Sequence, residues 1–198
     1  VISFDALPTT SMGPSVVIVT VTSFSFSSRT KTDIGKSTVS SFFIDENIPV
    51  IDTDQIAKNL LNPDTATYQK VVDHFGEAIL NVDKTIHRKG LAKRIFEDEA
   101  ARKFMNKTLH PEVKKYMISE INQLKLEGHD IIVCDVPLLF ESGFDTVCDL
   151  SLLVYIPQTL QLERLMVRDE ISKAYALKKI KAQMSMKAKR QKADLIID

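Results

Sequence analysis

The stretch IIVCDVPLLFE, residues 131–141, decides the fold class of this chain. Its first six residues are apolar except for Asp135, a pattern typical of a central strand buried on both faces of a parallel sheet. A second apolar run, residues 150–156, has the same character. Parallel strands need long crossover connections, which helices usually supply. The stretch therefore predicts an α/β fold.

Segments with strand and helix character alternate on both sides of this stretch. We predict at least one strand before Gly35, from the segments 16–21 and 24–28, and further strands at 48–51, 131–136, 150–156 and 193–197. Helices are predicted at 36–43, 54–60 and 160–168, with a basic helical stretch at 171–192. The alternation predicts one doubly wound parallel sheet flanked by helices. Ligands of such sheets bind at the carboxyl ends of the strands.

Residues 62–127 interrupt this alternation with apolar residues at helical spacing only. We predict a helical insertion here, with breaks at Asn62-Pro63 and at His110-Pro111. The expected organisation is an irregular or atypical segment at 1–33 followed by one domain at 34–198. Residues 1–32 carry thirteen Ser or Thr and only three charged residues, but they lack the arginines and amphipathic period of a transit peptide.

Composition excludes several classes of protein. The 26 basic residues balance the 26 acidic ones, so no global positive field favours a nucleic-acid partner. The longest apolar run, 15–21, is far shorter than the roughly 18–20 residues of a membrane span. Cys134 and Cys148 lack metal spacing and are expected to be reduced thiols. We expect a soluble, cytoplasmic monomer, with organellar targeting left open.

The tetrad Gly35-Lys36-Ser37-Thr38 has the chemistry of the second half of a P-loop. Lysine reaches the outer phosphates, a hydroxyl holds magnesium, and glycine lets backbone amides approach the phosphates. The full pattern also needs a glycine five residues earlier, where this chain has Thr30. The tetrad alone therefore leaves two interpretations open, a phosphate-binding loop and a capped surface helix.

Three acids follow predicted strands. Asp52 and Asp54 lie near the end of one strand, where one carboxylate can accept a hydroxyl proton and the other can orient substrate or metal-bound water. The alternative for Asp54 is a helix N-cap. Asp135 ends an apolar run, at the position where P-loop enzymes place a carboxylate near magnesium. Its alternative is a solvated strand end.

A basic stretch follows the last buried strand, with ten Lys or Arg between residues 164 and 192 against two acids. Arg164 and Arg168 lie four residues apart on one helix face, a spacing that suits a pair binding a transferring phosphoryl group. A merely solvated helix face is the alternative. The four histidines show no metal-ligand spacing.

Eight motifs follow one another along the chain: GKSTVSSFF, IPVIDTDQIAKNLL, VVDHFGEAIL, LHPEV, IIVCDVPLLFESGFD, LQLERLMVRDEIS, AQMS and KADLIID. In this order they resemble the motifs of the dephospho-CoA kinases. The resemblance implies a P-loop NTPase-type sheet with an acceptor-binding helical insertion at about 62–127 and a basic lid at about 164–190. It also implies ATP-dependent phosphorylation of the ribose 3'-hydroxyl of dephospho-CoA with Mg²⁺ as cofactor. Another small-molecule or nucleotide kinase is a weaker alternative.

The resemblance assigns a role to each matching residue. Catalytic roles fall on Lys36, Asp54, Arg164 and Arg168, with Asp54 as the general base in a DTD sequence where the family has DAD. Nucleotide contacts fall on Gly35, Lys36, Ser37, Thr38 and Asp194, and magnesium contacts on Ser37 and Asp135. Acceptor contacts fall on Asp52, Arg88, His110, Pro137, Leu138, Leu139 and Gln183. A family arginine near that glutamine is Lys179 here, which keeps the charge but loses bidentate geometry.

The loop before the tetrad departs from the family pattern. RTKTDIGKST stands where the family has roughly TGGIGSGKST, so Thr30, Lys31 and Asp33 occupy glycine positions. Each of these non-glycine residues destabilises the loop by about 1–2 kcal/mol if its backbone must be left-handed. Asp33 also brings a negative charge toward phosphates. The second functional hypothesis is therefore a catalytically impaired homologue that binds CoA-like ligands or a protein partner.

Overall fold

A computed structural model describes residues 15–21 and 36–197 of the chain, with side chains from residue 39 onward. This part contains a sheet of five parallel strands: β1 (Ser15–Val21), β2 (Val50–Asp52), β3 (Ile131–Asp135), β4 (Leu150–Val154) and β5 (Leu195–Ile197). Their order across the sheet is β2-β3-β1-β4-β5, and every neighbouring pair is parallel. The predicted doubly wound α/β fold is confirmed.

Helices connect the strands and cover the sheet. They are α1 (Lys36–Asp45), α2 (Thr53–Leu60), α3 (Ala66–Phe75), α4 (Arg88–Glu97), α5 (Glu99–Leu126), α6 (Leu139–Ser142), α7 (Gln158–Asp169), α8 (Lys173–Lys181) and α9 (Met186–Lys192). Side-chain oxygens cap the first turns of several of them, as Thr65 does for α3 and Asp98 for α5. Helices α3 to α5 fill most of the predicted helical insertion. Among the helices described, none is both long and apolar enough to cross a membrane.

The side chains of β3 alternate between two hydrophobic clusters, because successive residues of a strand face opposite sides of a sheet. Ile132 and Cys134 belong to the larger cluster, which includes the buried faces of α2 and α5. Val133 points the other way and packs with Leu152 and with Phe43 of α1. This two-sided burial explains why the strand is a continuous apolar run.

One predicted helix break is wrong. Helix α5 continues through His110-Pro111, although a proline inside a helix costs about 3 kcal/mol. One face of α5 buries a residue at every fourth position, namely Ala101, Met105, Leu109, Val113, Met117 and Ile121. Burial of an aliphatic side chain contributes about 1.5–3 kcal/mol, so the continuous apolar face outweighs the proline. The break at Asn62-Pro63 is confirmed, since it lies between α2 and α3.

The helical stretch expected over 171–192 consists of two helices, α8 and α9, and Ser185 caps the start of α9. Both cysteines are free thiols, with Cys134 buried and Cys148 half-buried. Burial raises the pKa of Cys134 to about 12 and that of Cys148 to about 11, so both are protonated at neutral pH.

Candidate active site

The acids predicted from the sequence lie at the carboxyl ends of β2 and β3. Asp52 and Asp135 are opposite each other in the ladder that joins these strands. Asp52 is the N-cap of α2, and its Oδ1 accepts a hydrogen bond of 3.1 Å from the backbone N of Gln55. Asp54 lies in the first turn of α2 and is not the cap. The N-cap interpretation of Asp54 is therefore wrong.

Asp135 is a buried acid rather than a solvated strand end. Its Oδ2 accepts a hydrogen bond of 3.2 Å from Ser40 Oγ on α1. Its backbone oxygen accepts one of 2.8 Å from Thr53 Oγ1 at the start of α2. One residue thus connects the middle of α1 and the start of α2 to the end of β3. Ser40 and Thr53 were not expected here, because no local pattern shows that they meet a strand far along the chain.

Replacement of Thr53 by valine tests this connection. Valine keeps the shape of the buried side chain but removes the donor, so it leaves the Asp135 carbonyl without that bond. We expect a loss of about 1–3 kcal/mol in the free energy of unfolding, measured by urea denaturation. Thr159→Val, at an exposed position of α7, is the control and should change stability little. A Thr53→Val protein as stable as the parent would contradict the assigned role of this bond.

A cavity of about 310 Å³ opens beside these acids, between α2, α4, α5 and the segment that follows β3. Five residues predicted for catalysis or acceptor binding line it: Asp54, His110, Pro137, Leu138 and Gln183. Most of the remaining wall is apolar, including Ala57, Ala92, Ile95, Phe96, Met105, Leu109 and Val113. Arg102, Asn106 and Lys179 add polar groups. Apolar walls with a few polar groups are typical of small-molecule sites.

His110 lies on the cavity wall and is more than half buried. Burial lowers the pKa of its imidazole, so the ring is neutral at neutral pH. Its ring centroid is 6.0 Å from that of Phe144, another wall residue. A neutral imidazole here offers one donor and one acceptor nitrogen to a ligand.

Besides Asp52, three predicted ligand contacts do not line the cavity. Leu139 is fully buried in the hydrophobic core instead of on the cavity wall. Arg88 begins α4 and precedes the wall residue Ala92 by one helical turn. Asp194 comes directly before β5. This strand lies three positions from β3 in the sheet, so roughly 14 Å separates the two strands. The Oδ2 of Asp194 accepts hydrogen bonds from both the N and the Oγ of Ser151, and this bonding holds β5 against β4.

The basic lid predicted at about 164–190 covers the end of α7, all of α8 and most of α9. Arg164 and Arg168 lie one turn apart on α7, as expected. The Nε of Arg168 donates a 2.7 Å hydrogen bond to Asp169. Lys179, on α8, lines the cavity and donates a 2.8 Å hydrogen bond to the same carboxylate. Lys179 therefore lies at the cavity wall, and Asp169 joins it to Arg168 of the neighbouring helix.

The tetrad Gly35-Lys36-Ser37-Thr38 is described only in part. Helix α1 begins at Lys36, in agreement with the predicted helix start. Gly35 and the altered loop at 30–34 lie outside the described residues, as do the side chains of Lys36, Ser37 and Thr38. The backbone cost and the unfavourable charge expected of that loop stay predictions.

Comparison with known proteins decides the family. The model of the dephospho-CoA kinase (CoaE) family matches residues 32–198. This chain belongs to the dephospho-CoA kinase family. The dephospho-CoA kinase of Oceanobacillus iheyensis is 42% identical over 164 residues, which cover 83% of this chain and 82% of the relative. That of Carboxydothermus hydrogenoformans is also 42% identical, over 83% of this chain and 80% of the relative.

Solved structures agree with this assignment. The dephospho-CoA kinase from Campylobacter jejuni superposes with a TM-score of 0.64 at 27% identity, covering 92% of this chain and 86% of that one. A crystal structure from Thermus thermophilus gives a TM-score of 0.72 at 25% identity, with 93% and 88% covered. The fold is that of a P-loop kinase. None of the comparisons favours the alternative of a catalytically impaired homologue.

Proposed function

We propose how this chain carries out the reaction of its family, the ATP-dependent phosphorylation of dephospho-CoA to coenzyme A. The acceptor occupies the cavity beside Asp54 and presents its ribose 3'-hydroxyl to that carboxylate. The observation that carries the proposal is the position of Asp54, which lines the cavity and stands two residues beyond the strand end that faces Asp135. The cavity thus lies next to the sheet edge where α/β proteins bind nucleotides.

Asp54 is the general base. A carboxylate that accepts the hydroxyl proton as the oxygen attacks contributes about 10²–10⁴-fold to the rate. Asp52 caps α2 and thereby fixes the first turn that carries Asp54. The bond from Thr53 to the Asp135 backbone anchors the same turn to β3. The base therefore stands on a rigid element, which favours reproducible contact with the acceptor.

Cations from the lid and from α1 stabilise the charge of the transferring phosphoryl group. We assign this role to Lys36, Arg164, Arg168 and Lys179. Phosphoryl transfer requires little covalent chemistry from the protein, so positioned charge is the main contribution. Lys179 already lines the cavity, and Arg168 shares a carboxylate with it.

The residues at the strand ends fit a magnesium ion. Asp135 offers a buried carboxylate next to a hydroxyl on α1, and hard oxygen ligands are those that Mg²⁺ prefers. Within residues 39–197, no three His, Cys, Asp or Glu side chains form a metal cluster. Mg²⁺ at kinase sites usually uses one or two carboxylates together with substrate phosphates. Asp135 and Ser37 would hold the ion, which neutralises phosphate charge when bound.

Filling the cavity tests the acceptor site. Replacing Ala92, on its wall, with phenylalanine occupies space that the proposal gives to dephospho-CoA. Overpacking of a fitted site costs about 1–3 kcal/mol, equivalent to about 5- to 150-fold in binding. We therefore expect the KM for dephospho-CoA to rise by that factor while the KM for ATP is unchanged.

The matched control is Ala100→Phe, at an exposed position near the start of α5 that is not on the cavity wall. It should leave both KM values unchanged. If Ala92→Phe instead raises the KM for ATP alone, the cavity belongs to the nucleotide and our assignment of it to the acceptor is wrong.

A further inference from the structure

The carboxylate of Asp169 bridges the two lid cations. Its Oδ1 accepts a 2.7 Å hydrogen bond from Arg168 Nε, and its Oδ2 accepts a 2.8 Å bond from Lys179 Nζ. Arg168 and Asp169 end α7, whereas Lys179 lies on α8, ten residues beyond Asp169 in the sequence. Between the two helices the chain reverses at Glu170, which has a left-handed φ of 53°. Each carboxylate oxygen thus fixes one cation.

This bridge differs from an ordinary surface ion pair, because all three side chains are largely removed from solvent. Arg168 is 10% exposed, Asp169 21% and Lys179 20%. Burial raises the pKa of Asp169, but its bonds to Arg168 and Lys179 outweigh burial and hold the pKa below its ordinary range. Asp169 is therefore ionised at neutral pH. Exposed ion pairs contribute little to stability. A carboxylate that is shielded from water and bonded to two cations restricts the movement of both side chains.

Lys179 connects this bridge to the cavity. Lys179 lines the cavity, and its ammonium lies 5.6 Å from the ring centroid of Tyr175. That ring meets Phe96, a second wall residue, at 5.1 Å. The bridge is therefore connected to the wall of the cavity.

We propose that Asp169 is a positioning residue whose carboxylate holds Arg168 and Lys179 at a fixed spacing against the transferring phosphoryl group. This inference rests on the function proposed above. Asp169 itself touches neither substrate, and it acts only through the two cations. Small displacements of charged groups at a reacting centre cost on the order of 100-fold in rate. Loss of the bridge should therefore lower kcat strongly and change the free energy of unfolding only a little.

The test compares Asp169→Asn with Glu170→Gln. The first variant keeps the size of the side chain and removes the charge that fixes both cations. The second neutralises the adjacent, exposed acid and is the control. We expect Asp169→Asn to lower kcat by roughly 10- to 100-fold, with little change in the KM for dephospho-CoA. Glu170→Gln should retain the parent kcat.

A double-mutant cycle with Lys179→Met separates positioning from a structural role. If Asp169 acts through Lys179, the double variant loses less activity than the product of the two single losses. Multiplicative losses would overturn the proposal, as would an Asp169→Asn protein with lowered thermal stability but unchanged kcat. If Asp169→Asn does not fold, Asp169→Glu replaces it. That variant keeps the charge but moves it by one methylene, and should also lower kcat.

Failure of this proposal is distinguishable from failure of the proposed function. A parent protein that binds dephospho-CoA in calorimetry but never phosphorylates it contradicts the proposed function. An active parent protein whose Asp169→Asn variant retains full kcat contradicts only the role of Asp169.

Discussion

Replacing Asp54 with asparagine lowers kcat by about 10²–10⁴-fold, the usual contribution of a general base, and leaves the fold intact. Asparagine has nearly the same shape as aspartate but cannot take the proton of the ribose 3'-hydroxyl. The fold should survive because the cap of α2 is Asp52, so helix capping does not depend on Asp54. Steady-state kinetics at saturating ATP and dephospho-CoA, with thermal unfolding on the same samples, measure both effects.

Asp64→Asn is the matched control for this experiment. Asp64 is an exposed acid in the turn after α2 and does not line the cavity. Its φ of 73° suits asparagine as well as aspartate. The control should keep the parent kcat. If the Asp54→Asn enzyme keeps a kcat within about threefold of the parent, the loss is far smaller than that expected for a general base. Asp54 would then not have that role.

Replacing Glu141 with glutamine costs roughly 3–5 kcal/mol of folding free energy, the usual effect of removing one partner from a buried ion pair. Lys189 is fully buried, and its ammonium lies 2.9 Å from Glu141 Oε1. This contact has the distance of an ion pair but lacks the alignment of a hydrogen bond. Glutamine therefore leaves a buried ammonium without its counter-charge. Urea denaturation measures the loss.

Two further variants sharpen this prediction. Lys189→Met should cost less than Glu141→Gln, because Glu141 is 21% exposed and still accepts a hydrogen bond from the Met184 backbone N. The double variant Glu141→Gln with Lys189→Met should recover most of the stability, since no buried charge remains uncompensated. Glu99→Gln, in the exposed pair with Lys103, should have little effect. If Glu99→Gln and Glu141→Gln lower the free energy of unfolding equally, burial of Lys189 is not the cause of the loss.

The sheet could be predicted because its signals are local. Each buried strand is an apolar run, and such a run is visible in the sequence without knowledge of which residues become its neighbours in space. The wrong predictions arise where two local rules compete. Pro111 obeys the helix-breaking rule in isolation, but the buried face of α5 outweighs it. Likewise, both Asp52 and Asp54 are acceptable N-caps by type, and only the observed end of β2 selects Asp52.

The site was predictable only in part, for a different reason. Asp54 was indicated by its position after a predicted strand, and His110 and Gln183 by the family resemblance; all three line one cavity. The contacts that position the site join residues far apart in sequence. The bond from Ser40 to Asp135 spans 95 residues, and the Glu141–Lys189 pair joins α6 to α9. No pattern within a single segment contains such information, because it arises only when the sheet assembles.

The most direct test of the central claim is product analysis. The purified chain is incubated with ATP, Mg²⁺ and dephospho-CoA, and the products are identified by mass spectrometry and by phosphorus NMR. The result we predict is equal formation of ADP and of coenzyme A carrying the new phosphate on the ribose 3'-oxygen, with Asp54→Asn protein nearly inactive. Folded protein that binds dephospho-CoA but forms no coenzyme A, or that phosphorylates a different position, would contradict it.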